Sequence, residues 1–210
     1  PVRAAGQESA LNMTTPKLKV VRVAFVGLGM RGHDAVERWT HIPGIQVMAL
    51  CDYERDRAER CQEYLRKASM PAADIYSGED GYKELCKRKD IDLVYIAPDW
   101  KHHFLVAYEA MNNGKHVAVE VPAAMNLTEI WKLIDISEKK RLHCMMLENC
   151  CYDFFELNSL NMAQKDVFGE ILYVQGAYRH ELSKFWDAYW KKDAQDKLGW
   201  RLDYNQKFRG

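Results

Sequence analysis

The 210-residue sequence carries 30 Lys plus Arg against 30 Asp plus Glu, so its formal charge is zero and nothing marks it for a polyanionic partner. Its basic tracts, Lys87-Arg88-Lys89 and Lys139-Lys140-Arg141, are too short for a nucleic-acid groove. No apolar run reaches the roughly 18 residues that would cross a bilayer.

Residues 1–19 are polar, lack an apolar signal core and are expected to form a flexible leader. Val20–Val26 then reads as a strand running directly into Gly27-x-Gly29-x-x-Gly32. Gly27 permits a tight turn, Gly29 lets a pyrophosphate approach, and Gly32 lets helix and strand pack closely. The N–H groups of the helix that follows, read as His33–Trp39, would face the anion. Gln46–Cys51 is the next strand, and Asp52 closes it where an acid accepts hydrogen bonds from an adenosine ribose. Arg55–Ala68 and Tyr82–Arg88 follow as helices.

Leu93–Ala97 is a strand ending in Ala-Pro-Asp-Trp100-Lys101-His102-His103, and His102–Asn112 is a helix stopped by Asn113-Gly114. Trp100 can cover an apolar ring there, and His102 or His103 can donate to ribose or phosphate oxygens. His116–Val119 leads to Glu120-Val121-Pro122, and Leu142–Leu147 leads to Glu148-Asn149. Leu127–Lys139, with Asn126 as cap and Glu129 three residues on, is the helix between them. Strands apolar on both faces, alternating with helices, predict an α/β, doubly wound, mostly parallel Rossmann-type sheet over residues 20–149.

Residues 150–210 read as the start of an incomplete α+β substrate domain. Phe154–Val167 suits a helix, Glu170–Tyr178 a strand, and Lys184–Trp200 gathers aromatics without clean periodicity. The six cysteines show no CxxC spacing and behave as small hydrophobes, so no metal site is expected. The compartment stays open between the cytoplasm and export.

GLGMRG, Cys51-Asp52, APDWKHH and the NNGKHVAVEVP run at Asn112–Pro122 together resemble the glucose–fructose oxidoreductase and inositol dehydrogenase (Gfo/Idh/MocA) family of NAD(P)-dependent sugar enzymes. Many members have a lysine before the proline of the last motif; here it is Val121. With HCMMLENCCY and GAYRH, the sequence is similar to the NAD-dependent α-N-acetylgalactosaminidases of glycoside hydrolase family 109. The resemblance implies NAD contacts from Met30, Arg31, Asp52, Trp100 through His103, Glu120, Val121 and Asn149. It implies substrate contacts from Tyr178 and Arg201, with Tyr178 a candidate to assist proton transfer.

The partner it implies is a sugar or glycan terminus, and a homo-oligomer is compatible with it. The implied chemistry is oxidation at C3 of the sugar, elimination of the C1 substituent, water addition and re-reduction. An ordinary sugar or cyclitol dehydrogenase and a non-catalytic dinucleotide-binding fragment are the alternatives. A complete relative of this kind continues beyond Gly210.

Overall fold

The structure is a computed structural model and describes residues 6–177, 179–181, 183, 201 and 204. Contacts divide the chain into two compact units, Pro1–Glu148 and Asn149–Gly210. In the first, β1 (Val21–Val26), β2 (Ile45–Asp52), β3 (Asp74–Ser77), β4 (Leu93–Ile96), β5 (His116–Glu120) and β6 (Cys144–Leu147) form one sheet. Its order is β3-β2-β1-β4-β5-β6, and every pairing is parallel. The expected doubly wound Rossmann sheet is therefore present.

Parallel strands demand helical crossovers, and here the crossover helices divide between the two faces of the sheet. Helices α1 (Met30–Trp39) and α2 (Arg55–Lys67) cover Val23, Phe25 and Leu50 on one side. Helices α3 (Gly81–Lys87), α4 (Trp100–Asn112) and α5 (Leu127–Lys140) cover Ala24, Val26, Val94 and Ile96 on the other. The β1–β2 register slips between Val23 and Ala24, where β2 carries the extra residue Met48. At the base of the sheet, Arg22 grips Asp92 with two side-chain bonds of 2.9 and 2.6 Å.

Local chemistry sets the helix ends. The Asn126 side chain caps α5 by accepting from the Glu129 N–H at 2.9 Å, and Glu129 accepts in turn from the Met125 N–H. Gly114, at φ +78°, ends α4 while the Lys115 N–H returns to the Ala110 carbonyl, as the Asn-Gly pair predicts.

Three expectations need correction. The edge strand β3 is absent from the sequence reading, because its four residues Asp-Ile-Tyr-Ser show neither a β-branched run nor clean alternation. The leader is not wholly loose: Gln7 Nε2 donates to Glu138 Oε2 at 2.7 Å, and Arg141 donates to the Ser9 carbonyl at 3.0 Å. Glu138 is buried on α5, so a polar partner from the leader satisfies a carboxylate that water no longer reaches.

The third correction lies in the second unit. Its helix α6 (Phe154–Gln164) stops earlier than expected, because Asp166 at φ +57° closes it with a bond from the Val167 N–H to the Met162 carbonyl. Residues 171–177 form no strand; a ladder needs a partner, and among the described residues they have none. Tyr178 and all of Lys184–Trp200 lie outside the described residues. No described helix is long and apolar enough to cross a membrane.

Candidate functional site

In an open α/β sheet the crevice opens where the strand order reverses, here between β1 and β4. The β1–α1 and β4–α4 turns meet at that point. A Cβ on Gly27, which sits at φ +86°, would come within 2.2 Å of the Pro98 backbone nitrogen. One on Gly32 would lie 1.8 Å from the Gly27 carbonyl oxygen. These two glycines therefore serve close packing, while a Cβ on Gly29 would meet nothing within 4 Å. Gly29 faces open space at the N-terminus of α1, where a ten-residue helix directs its first N–H groups and positive dipole end.

That helix starts three residues earlier than the sequence predicts, so Met30 and Arg31 occupy its first turn, both exposed. Asp52 is 6% exposed at the end of β2. Its carboxylate accepts from the Leu28 N–H at 2.6 Å and from the Glu54 N–H at 3.0 Å, with Arg57 at 3.5 Å. A carboxylate offers about four lone-pair sites, so two backbone bonds leave acceptor capacity for a hydroxyl. Asp52 thus shapes the glycine loop as well as flanking the crevice.

Trp100 to His103 form the whole first turn of α4, and four consecutive helical residues sweep round the axis rather than share one face. Asp99 caps the turn through the His102 N–H at 3.2 Å and also contacts His102 Nδ1 at 2.8 Å. Burial works against the Asp99 charge, but the bond and charge of His102 prevail and hold the carboxyl below its usual range. Lys101 is exposed and Trp100 half-buried. His103 is buried at 2% exposure, with its ring nitrogens toward the carbonyls of Pro122 and Pro98. The sequence suggests a donor to ribose or phosphate oxygens here, and both ring nitrogens face protein carbonyls instead of open space.

Glu120 ends β5 and accepts from the Tyr95 hydroxyl at 2.7 Å, with Arg31 Nε 4.0 Å away. Burial, followed by the bond to Glu120, pushes the Tyr95 phenol well up. Tyr95 escaped the sequence reading. The available signal was a phenol inside an apolar strand, because a buried hydroxyl requires a partner. Val121 is partly exposed beside Glu120. The glycine turn, Asp52, the α4 turn and Glu120-Val121 thus gather in the first unit. Asn149 and the half-buried Arg201 belong to the second.

Burial lowers the pKa of His103, and burial followed by the nearby His143 lowers that of His116, whose Nδ1 accepts the His143 N–H at 2.9 Å. Below about pH 6.5 the unfolded chain therefore binds more protons than the folded one, and stability falls with acidification. The urea midpoint should drop steadily from pH 7 to pH 5. A flat profile across that window would contradict neutral burial of both rings.

Residues 21–148 match the sequence profile of the Gfo/Idh/MocA family, described as an oxidoreductase family with an NAD-binding Rossmann fold. The chain belongs to that family. Family membership makes the first unit an NAD-binding Rossmann domain, and the open space over Gly29 fits a pyrophosphate. The whole chain is 69% identical to glycosyl hydrolase family 109 protein 5 of Phocaeicola vulgatus, spanning 40% of that protein. It is 61% identical over 211 residues to glycosyl hydrolase family 109 protein 1 of Bacteroides fragilis, spanning 44% of it.

Solved structures share the fold. A myo-inositol dehydrogenase from Lactobacillus casei, in complex with NAD(H) and myo-inositol, superposes with a TM-score of 0.61 at 22% identity. That match covers 71% of this chain and 43% of the other. A 3-ketoreductase from Actinomadura kijaniata, in complex with NADP and TDP-benzene, gives 0.60 at 22% identity over 72% of this chain and 44% of its own. Among the described residues no group of three His, Cys, Asp or Glu is placed to hold a metal ion.

Proposed function

We propose that this chain supplies the NAD-holding portion of a retaining glycosidase that removes terminal α-N-acetylgalactosamine. Support comes first from its 69% identity, along its whole length, to a glycosyl hydrolase family 109 protein. Gly27 and Gly32 close the turn, and Gly29 leaves room for the pyrophosphate against the first N–H groups of α1, beside Met30 and Arg31. Asp52 accepts from the adenosine ribose. Trp100, Lys101 and His102 border the crevice on one side, with Glu120 and Val121 on the other.

When bound, NAD supplies a hydride acceptor and donor for C3 of the sugar, so that oxidation and re-reduction bracket the cleavage. The carbonyl at C3 would acidify the C2 proton, so that a base takes it as the glycosidic oxygen leaves from C1, and water then adds its hydroxyl to C1 and a proton to C2. Val121 carries no ammonium where many family members place a lysine, so the rim lacks the group that helps position nicotinamide and substrate in those members. Tyr95 fixes the Glu120 carboxylate, leaving its second oxygen for a ribose or sugar hydroxyl. The resemblance adds Asn149 to the cofactor contacts and Tyr178 and Arg201 to the substrate contacts, with Tyr178 assisting proton transfer.

The test is turnover of a terminal α-N-acetylgalactosaminide in deuterated water by the full-length protein. Release of sugar with deuterium at C2 and no net NADH is the expected result. NADH accumulating in step with an oxidised sugar would establish the dehydrogenase instead. Release without exchange at C2 would remove the elimination step. Calorimetry on the 210-residue chain should meanwhile show saturable NAD binding with little or no sugar release.

A further inference from the structure

The loops that follow β4 and β5 approach each other through the imidazole of His103. Nδ1 lies 2.7 Å from the Pro122 carbonyl oxygen, and Nε2 lies 3.3 Å from that of Pro98. Both partners are acceptors, and a neutral ring has one N–H to give. The shorter distance assigns that hydrogen to Nδ1, donated to Pro122. Pro98 in turn backs directly onto Gly27, and Pro122 follows Glu120 and Val121 by two residues and one.

A buried ring therefore stands between the glycine loop's support and the opposite rim of the crevice. We propose that His103 is a positioning residue, which sets the spacing of these two rims through Pro98 and Pro122 without touching the cofactor. This rests on reading the crevice as the NAD site. The neighbouring His102 is engaged with Asp99, so the paired histidines divide the work. One holds the Asp99 cap of α4, and the other ties its turn to the β5 loop.

Packing alone and a hydrogen-bonded clamp make opposite demands on substitutions. Leucine fills the buried space but donates nothing, whereas asparagine is smaller but places an N–H where Nδ1 stood. Hydrogen exchange of the segments 97–101 and 120–125, measured on the ligand-free chain, should accelerate about tenfold in His103→Leu. In His103→Asn, exchange in 120–125 should return close to the parent rate. The NAD dissociation constant should follow, rising about tenfold in His103→Leu and staying within about threefold in His103→Asn.

Loop protection in His103→Leu equal to the parent, or better than in His103→Asn, overturns the proposal. If the loops loosen as expected but the parent shows no saturable NAD binding, the cofactor reading fails. The positioning role toward NAD then fails with it, while the clamp between the loops stands. Should His103→Leu not fold, nitrogen NMR of the parent imidazole decides. A hydrogen on Nδ1 supports the clamp, and a neutral ring protonated on Nε2 overturns it.

Discussion

Gly29→Ala should leave the fold intact and weaken NAD binding about a hundredfold, a difference of roughly 2.7 kcal/mol. Gly29 holds an extended conformation that any residue adopts, and a methyl there meets no protein atom within 4 Å. The methyl would instead project into the open space that we propose for the pyrophosphate. Gly32→Ala should do the reverse and cost about 3 kcal/mol of stability or more. Its methyl would sit 1.8 Å from the Gly27 carbonyl, and Gly27 cannot retreat because Pro98 stands behind it. Urea denaturation and calorimetry on both variants separate the two effects. Undiminished NAD binding by Gly29→Ala would place the pocket elsewhere.

Asp52→Ala should lose about 3 kcal/mol of stability together with NAD affinity. The buried carboxylate accepts two backbone hydrogens, and its removal strands the Leu28 N–H inside the glycine loop. A falling affinity alone would not distinguish a collapsed loop from a lost ribose bond. The 2′-deoxy analogue of NAD makes the distinction. The parent should bind it about tenfold more weakly than NAD, the worth of one hydrogen bond to a charged acceptor. Asp52→Asn should discriminate less. Equal affinity of the parent for both dinucleotides would confine Asp52 to its structural role.

The sheet was legible in the sequence wherever burial is two-sided, as in Val21–Val26 and Leu93–Ile96, because such strands must be apolar throughout. At the sheet's edge that demand relaxes, and Asp74–Ser77 left no pattern to read. The site was legible as a set of strand ends, but not in its division of labour. Trp100 to His103 look equivalent along the chain. The helical turn exposes Lys101 and buries His103, because 100° separates successive side chains. Asp52 likewise reads as a ligand group, while its bond to Leu28 arises from a contact 24 residues away. Tyr95 acquires its meaning from Glu120 on a neighbouring strand, a pairing that no local pattern encodes.

The contact between Gln7 and Glu138 also has a bearing on how the chain assembles. The two residues are 131 positions apart, so the earliest described part of the polypeptide emerges from the ribosome long before its docking helix exists. At ordinary elongation rates that interval is on the order of ten seconds. Over that time the residues of β1 to β5 are already available to pair, whereas the Gln7 contact has to wait for α5. Docking of this segment therefore cannot seed the strands made before α5.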